Sequence, residues 1–207
     1  MHNKTIDYYN KHTREFIDRT IGSDMRFCQK KFINLLEPGS LILDAGCGSG
    51  RDSRFFMKQG FRVEAIDASI EMCRAAAEYI SQPVKCMRFD ELADVLRFDG
   101  IWASASLLHI EKSELPTVLR KFHRALKANG VLYASFKYGN QEEERLERFF
   151  SDYYLDEVER IFLQDGLFEL VEGFQTEDER PDYIDKPWVN LIVRSVKSEG
   201  MAGKFIV

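Results

Sequence analysis

The sequence feature that most constrains the fold is the run LILDAGCGSG at residues 41–50. Its apolar start predicts a strand that is buried on both faces, as in a parallel sheet. Glycine then recurs at Gly46, Gly48 and Gly50, where the missing Cβ atoms let the backbone turn sharply and approach a ligand closely. Because Asp44 opens this loop and would repel phosphate, we expect a ligand that carries a positive group.

Strands and helices alternate along residues 40–136, which predicts a doubly wound α/β sheet with helices on both faces. After residues 41–43, further strands are predicted at 61–66, 84–89, 98–104 and 131–136. The last third of the chain differs, because the strands predicted at 167–174 and 188–196 are joined by a loop. This pattern favours an antiparallel pair at one edge of the sheet.

Two further patterns predict local structure, namely polar residues that cap helix starts and one run of acidic residues. Helix caps are predicted at Thr5, Ser23, Ser69 and Ser113. The acidic run at 142–147 is interpreted as a solvated helix face.

Length and composition indicate one domain. The 207 residues suffice for one substantial core, which we divide into N-terminal helices that form a lid (1–37), a ligand-binding core (40–136), and an insert with the C-terminal strand pair (137–207). No apolar run approaches 18 residues and the N-terminus lacks a secretory pattern, so we expect no membrane span and a cytoplasmic location, with free thiols. The net charge of −5 disfavours non-specific nucleic-acid binding.

Acidic residues follow the first three predicted strands. Asp67 lies 17 residues after Gly50, a separation suited to an acid that accepts hydrogen bonds from ribose hydroxyls. Asp90 is placed to accept from an exocyclic amine such as that of adenine, with Phe89 beside it, and Asp44 to lie near an ammonium, directly or through water. A nucleoside with a positive group points to S-adenosylmethionine, which carries an ammonium and a sulfonium.

These residues resemble the motifs of class I S-adenosylmethionine-dependent methyltransferases. The loop from Asp44 to Gly50 is similar to the first motif, Asp67 to the second, Phe89-Asp90 to the third and residues 98–109 to the fourth. The resemblance implies a Rossmann-like sheet of seven strands, in the order 3-2-1-4-5-7-6 with strand 7 antiparallel, and S-adenosylhomocysteine as the product. Residues 50–53 and the Leu-Leu-His sequence ending at His109 also resemble small bacterial proteins related to tellurite resistance.

Further residues are predicted to contact the cofactor. Cys47, Ala68 and Ala103 belong to segments that match the motifs. Arg51 could pair with the cofactor's carboxylate, or it could be a surface cation at a helix start. Tyr9, on the N-terminal lid, is predicted to touch the methionine end, although it shares an apolar face with Ile6 and Phe16 and packing explains it equally well.

Four residues are candidates for the acceptor side. His109 follows the fourth strand and is the candidate general base, with a structural turn as the alternative. Tyr8 would face the pocket if Tyr9 packs inward. Lys137 and Tyr138, after the fifth strand, are predicted to line the acceptor pocket, with core or rim positions as the alternative. No histidine or cysteine has metal-ligand spacing, so no metal is predicted.

The sequence leaves three alternatives to a methyltransferase that acts on a small molecule. A Rossmann oxidoreductase would require Gly-x-Gly-x-x-Gly, whereas the spacing from Gly46 to Gly50 differs. A non-catalytic binder could keep the same pocket. An RNA-modifying enzyme could use the basic clusters at 30–31 and 120–127. The short lid favours a small-molecule acceptor, and a monomer or a homodimer is expected.

Overall fold

The structure, a computed structural model, describes residues 3–178 and 187–197. Its strands are β1 (Leu41–Ala45), β2 (Arg62–Asp67), β3 (Lys85–Cys86), β4 (Phe98–Ala103), β5 (Leu126–Lys137), β6 (Glu142–Arg145), β7 (Arg148–Ser151), β8 (Phe168–Thr176) and β9 (Trp188–Ser195). Its α-helices are α1 (Asn3–Lys11), α2 (Thr13–Thr20), α3 (Arg26–Ile33), α4 (Arg51–Lys58), α5 (Ile70–Ile80), α6 (Leu115–Ala125) and α7 (Leu155–Leu163). Short 3₁₀ turns cover Phe89–Glu91 and Leu107–His109. None of the helices in these ranges combines the length and the apolar character needed to cross a bilayer.

Seven of the strands form one sheet in the order β3-β2-β1-β4-β5-β9-β8. The neighbours from β3 to β5 pair in parallel, whereas β9 runs antiparallel to both β5 and β8. The predicted order 3-2-1-4-5-7-6 is confirmed, because β8 and β9 are the sixth and seventh strands of this sheet once the separate hairpin β6–β7 is set apart.

The sheet is covered on both faces, as the apolar run in β1 predicts. Successive strand residues point to opposite faces, so Ile42 packs with Phe32, Phe56 and Trp102 while Leu43 packs into the core on the other face. The indole of Trp102 stacks on the ring of Tyr133, with centroids 3.8 Å apart. Because both faces of the sheet are covered, a ligand can reach it at the edge where the carboxyl ends of the parallel strands lie.

Only one of the four predicted helix caps is confirmed. The Ser69 hydroxyl accepts a hydrogen bond from the Met72 amide at 3.2 Å, at the start of α5. The caps at Thr5, Ser23 and Ser113 are wrong, because α1 already contains Thr5, α3 begins after Met25, and Glu114 precedes α6.

The acidic run at 142–147 is a β-hairpin, so its interpretation as a helix face is wrong. Strand β6 pairs with β7 in antiparallel register from Glu142↔Ser151 to Arg145↔Arg148. The two turn residues, Leu146 and Glu147, have φ of 49° and 61°. A two-residue turn with positive φ has the twist that fits a hairpin. The hairpin lies beside α1 and the Leu107–His109 turn.

Candidate active site

A cavity of about 560 Å³ opens at the carboxyl ends of β1, β2 and β4. Its floor is formed by the residues at and after the ends of these three strands, 46–49, 67–69 and 104–106, and side chains of α1 and α2 cover it. Ligands bind at this edge in open α/β sheets, and the volume lies within the range of about 300–1,000 Å³ typical of small-molecule sites.

The glycine loop meets its neighbours too closely for larger residues. A Cβ on Gly46, whose φ is +80°, would lie 2.5 Å from the Cβ of Ser106. One on Gly50, whose φ is +76°, would lie 2.9 Å from Cγ2 of Ile80. Gly48 differs, because the nearest atom to its Cβ position belongs to Phe16 of α2, at 3.8 Å. The two ends of the loop are therefore packed tightly, against Ser106 and Ile80, whereas its middle faces α2 of the lid.

Asp67 joins the glycine loop to the start of α5. One carboxylate oxygen accepts from the Gly48 amide and the other from the Ser69 amide, both at 2.9 Å. Burial raises the pKa of Asp67, and these backbone donors oppose that rise. Each carboxylate oxygen has a second acceptor position, and Asp67 lines the cavity. It can therefore accept hydroxyl protons from a bound ligand.

Asp44 and Asp52 are two buried carboxylates with different partners. Asp44 is 2% exposed and accepts from the Ser53 hydroxyl at 2.6 Å. Burial and the neighbouring Asp52 raise its pKa to about 7. Burial acts on Asp52 as well, but the paired Arg51 and the Trp102 and Gln29 donors bring the pKa of that carboxyl below its usual value. Asp52 thus carries the negative charge of the pair, and Asp44 titrates near neutral pH.

Arg51 connects α4 to the lid. Its guanidinium binds both carboxylate oxygens of Asp52, at 2.8 and 2.9 Å, and donates to the Thr20 carbonyl of α2 at 3.2 Å. Because Arg51 also lines the cavity, it remains available to a ligand beside this ion pair.

His109 lies between the lid and the hairpin. Its Nδ1 is 2.6 Å from the carbonyl oxygen of Phe149, which can only accept, so Nδ1 carries the proton. Its Nε2 is 2.9 Å from the Tyr9 hydroxyl, which therefore donates to it. Burial lowers the pKa of His109 to about 3, despite the Phe149 contact and assisted by the positive charge of Arg148. The ring is neutral at physiological pH.

A methyltransferase-domain family matches residues 42–130. Among curated proteins, phosphoethanolamine N-methyltransferase 3 of Arabidopsis thaliana is 34% identical over 112 residues, which are 49% of this chain and 22% of the relative. The malonyl-[acyl-carrier protein] O-methyltransferase of Pseudescherichia vulneris is 32% identical over 97 residues, 44% of this chain and 36% of the relative. The chain therefore spans well under half the length of these relatives.

A solved structure extends the likeness over nearly the whole chain. It is the Burkholderia thailandensis 1,6-didemethyltoxoflavin-N1-methyltransferase with bound 1,6-didemethyltoxoflavin and S-adenosylhomocysteine. The TM-score is 0.75 at 22% identity, covering 93% of this chain and 85% of that one, a likeness that establishes the fold.

Residues 42–130 match a methyltransferase domain, and the fold is that of a solved methyltransferase. The family predicted from the motifs is confirmed, and methyltransferases of this class use S-adenosylmethionine. The similarity to tellurite-resistance-related proteins stays a prediction.

The cavity brings together most of the predicted site residues. Those that line it are Tyr9, Gly46, Cys47, Gly48, Arg51, Asp67, Ala68, Phe89, His109 and Lys137. Asp44, Gly50 and Ala103 are not among the lining residues; Asp44 lies near the end of β1, Gly50 caps the start of α4, and Ala103 ends β4. Their roles toward a ligand stay predictions.

Three predicted residues lie away from the cavity wall. Asp90 pairs with Arg88 at 2.9 Å on the surface, because the 3₁₀ turn points Phe89 inward and Asp90 outward. Tyr8 stacks on His12, because neighbouring residues of a helix point in different directions and Tyr9 is the one of the two that faces the cavity. Tyr138 lines a separate shallow depression beside Tyr154.

The structure adds cavity residues that the sequence did not single out. Asp52 is one, and its role follows only from the packing of Arg51 and Trp102 around it. Others come from the lid, the loop after β4, the hairpin and β9, namely Phe16, Thr20, Ser106, Arg148, Phe150 and Asn190. Apolar periodicity in the lid could have indicated Phe16. Arg148 reaches the site only through a hairpin, and the sequence of its first strand and turn, residues 142–147, favours a helix face instead.

Proposed function

We propose that this protein transfers the methyl group of S-adenosylmethionine to a nucleophile of a small-molecule acceptor. The observation that carries this proposal is a single cavity with Asp67 and the glycine loop on one wall and the Tyr9–His109 pair on another. One wall suits a nucleoside and the other suits a reacting group. The membership of residues 42–130 in the methyltransferase family supports the reaction type.

The residues around the floor of the cavity fit this cofactor. Asp67 has acceptor positions for ribose hydroxyls, and Gly48, which lines the cavity without a side chain, lets a ligand approach the loop backbone. Phe89 adds an apolar wall for an adenine ring. Arg51 would pair with the carboxylate of the cofactor, and Asp44 would interact with its ammonium through water. Bound S-adenosylmethionine supplies a methyl group that its sulfonium already activates.

The chain itself must orient the acceptor and exclude water. Correct orientation of two reactants lowers a barrier by roughly 7–11 kcal/mol. The lid contributes by hydrogen bonds to three parts of the fold: Thr5 accepts from the Phe149 amide at 2.9 Å, Asn10 accepts from the Ser69 hydroxyl at 2.7 Å, and the Thr20 carbonyl accepts from Arg51. These bonds would keep α1 and α2 closed over the reacting groups.

The Tyr9–His109 pair would contact the acceptor and relay its proton. Burial raises the pKa of Tyr9 although the charge of Arg148 opposes this, so the hydroxyl is neutral. The neutral Nε2 of His109 is the acceptor for the Tyr9 proton. An acceptor that arrives protonated could pass its proton to the Tyr9 oxygen as Tyr9 passes its own to His109. The low pKa of His109 makes this route efficient only when a bound negative charge favours the imidazolium.

The basic clusters that would support an RNA substrate are partly neutralised. Lys31 pairs with Glu172 at 2.7 Å, Arg120 with Asp165 at 3.1 Å and Lys127 with Asp99 at 2.8 Å. Paired surface cations offer less to a phosphate backbone than free ones. We therefore propose a small-molecule acceptor and no nucleic-acid partner. A cytoplasmic location and a monomeric or homodimeric state stay predictions.

Calorimetric titration of the full chain with S-adenosylhomocysteine, S-adenosylmethionine and NADH tests the cofactor. We expect saturable binding of the first two and none of NADH. Asp67→Asn should weaken binding at least about tenfold, because a charge-assisted hydrogen bond contributes about 1.5–3 kcal/mol. The matched control Asp165→Asn, at an exposed position paired with Arg120, should bind as the wild type does. Binding of NADH alone would overturn the proposal.

Transfer is tested with S-adenosylmethionine labelled in its methyl group. The small-molecule fraction and the RNA fraction of a cell extract are incubated separately with the protein. Label in the small-molecule fraction is the expected result. Label in RNA alone would favour the RNA-modifying alternative, and tight cofactor binding with label in neither fraction would favour a non-catalytic binder.

A further inference from the structure

Arg148 brings a positive charge to the cavity from the hairpin. It is the first residue of β7 and lines the cavity together with Tyr9 and Phe150. Its guanidinium lies 4.6 Å from the ring centroid of Tyr8, 5.0 Å from that of Phe150 and 5.8 Å from that of Tyr9. The cation is thus packed among aromatic rings beside the Tyr9–His109 pair.

Arg148 differs from the other basic side chains of the cavity in its partners. Among the described residues, lysine and arginine line it at three positions, Arg51, Lys137 and Arg148. Arg51 is neutralised by Asp52, and Lys137 by Asp178. Within residues 3–178 and 187–197, no carboxylate pairs with Arg148. Among the basic side chains that the structure describes on the cavity wall, Arg148 is the one without a carboxylate partner.

The Nε–H of Arg148 also lacks an acceptor. Nε is buried and makes no hydrogen bond to any part of the chain that the structure describes. Aromatic faces stabilise a guanidinium that lies over them, and Arg148 also forms a hydrogen bond with the Tyr9 hydroxyl. Neither contact gives the Nε–H an acceptor. A buried donor without an acceptor costs free energy. The in-plane N–H donors of a guanidinium match two oxygens of a carboxylate or a phosphate.

We propose that the methyl acceptor carries an anionic group, a carboxylate or a phosphate, which binds the guanidinium of Arg148. This inference rests on the proposed methyl transfer and adds the chemical class of the acceptor. Arg148 is then the residue that selects an anionic acceptor and positions it beside the hydroxyl of Tyr9. The bound anion would offset the positive charge that lowers the pKa of His109. Anion binding and proton acceptance would therefore support each other at the same end of the cavity.

The test titrates the full chain, saturated with S-adenosylhomocysteine, with inorganic phosphate and separately with acetate. Nuclear magnetic resonance follows the ¹H–¹⁵N signal of the Arg148 Nε–H, which is assigned by its loss in Arg148→Lys. Chloride at equal ionic strength is the reference. We expect a saturable shift of this signal with at least one oxyanion. Tighter binding of phosphate would identify a phosphoryl group as the source, and tighter binding of acetate a carboxylate.

Variants separate Arg148 from other cations, and calorimetric titration measures their oxyanion binding because the Arg148 signal is absent from the Arg148 variants. Arg148→Gln should weaken oxyanion binding at least about tenfold, as expected for loss of a charge-assisted hydrogen bond. The exposed Arg120→Gln should bind as the wild type does. Arg148→Lys keeps the positive charge but lacks the planar donors, so its oxyanion affinity should lie between those of the wild type and Arg148→Gln. It replaces Arg148→Gln in the comparison if that variant does not fold.

Two results would overturn the inference. One is the absence of saturable oxyanion binding in the wild type, and the other is equal binding in the wild type and the Arg148 variants. Affinity for S-adenosylhomocysteine is measured first in every variant. A wild type that binds S-adenosylhomocysteine but no oxyanion contradicts only the anionic acceptor, whereas a wild type that binds no S-adenosylhomocysteine contradicts the proposed methyl transfer.

Discussion

The hydroxyl of Tyr9, on the first helix of the chain, lies 2.9 Å from Nε2 of His109, on the turn after the fourth strand of the sheet. The opposite nitrogen of the same ring reaches the carbonyl of Phe149 in the hairpin at 2.6 Å. Two hydrogen bonds therefore join the lid, the methyltransferase core and the insert at one point. They fix His109 in the tautomer that keeps Nε2 free to accept a proton.

Replacing Tyr9 by phenylalanine should remove the donor to Nε2 with little change in volume. A buried acceptor left without a donor costs about 1–3 kcal/mol of folding free energy, and a proton relay through the hydroxyl would be lost. We expect a lower free energy of unfolding in urea, a large drop in methyl transfer, and unchanged affinity for S-adenosylhomocysteine. Tyr8→Phe is the matched control, since Tyr8 lies outside the cavity.

The two variants distinguish chemistry from packing. Equal transfer rates in Tyr9→Phe and the wild type would exclude the relay, even if Tyr9→Phe were less stable. A loss of S-adenosylhomocysteine affinity in Tyr9→Phe would instead indicate that the hydroxyl contacts the cofactor, as the sequence analysis predicts for Tyr9.

The buried His109 should make the protein less stable as the pH falls from about 6.5 towards 3. Its pKa is about 3 in the folded state against an ordinary value of 6.5, so the unfolded chain takes up the proton first in this window. The free energy of unfolding then falls with decreasing pH by at most about 1.4 kcal/mol per unit. Urea unfolding of the wild type and His109→Gln from pH 3.5 to 7 measures this. Identical slopes in the two proteins would show that His109 is not buried in its neutral form.

Asp44 should contribute a pH dependence of the opposite sign. Burial raises its folded pKa to about 7 from an ordinary 3.8, so the folded state takes up the proton first and stability is lost as the pH rises between these values. Asp44→Asn cannot ionise. We expect its stability relative to the wild type to improve as the pH rises from 4 to 7 and to stay level above 7. The same urea series checks this, and a stability difference independent of pH would contradict it.

Local sequence patterns predicted the parts of the fold that depend on local forces. The alternation of apolar strands and amphipathic helices indicates a parallel sheet with helices on both faces, whereas the strand order followed from the resemblance to class I methyltransferases. The Ser69 hydroxyl needs only the amide of Met72 to cap its helix. The position of Asp67 at the end of β2 and at the cavity could also be predicted from its spacing after the glycine loop, because strand, loop and helix lengths in this fold vary little.

The hairpin could not be predicted in the same way, because distant residues stabilise it. Glutamates have low strand propensity, yet the Phe149 amide bonds to Thr5 and the Ser151 hydroxyl bonds to the carbonyl of Ile110. The position of Arg148 in the cavity depends on these contacts. The side-chain directions of Tyr8 and Asp90 likewise depend on packing partners, His12 and Arg88, which spacing alone does not reveal.

The glycine loop should tolerate an added methyl group at its middle but not at its start. In Gly46→Ala the new Cβ would lie 2.5 Å from the Cβ of Ser106, a side chain whose hydroxyl is itself bonded to the Ala45 carbonyl and cannot easily move. In Gly48→Ala the nearest atom is 3.8 Å away, so the cost is limited to the strain of a φ of +52°. Backbone strain of that kind costs of the order of 1–3 kcal/mol. We therefore expect thermal unfolding to show a larger loss of stability for Gly46→Ala than for Gly48→Ala, whereas both should weaken S-adenosylhomocysteine binding in calorimetry. An unfolding temperature of Gly46→Ala at or above that of Gly48→Ala would show that Ser106 does not limit the loop.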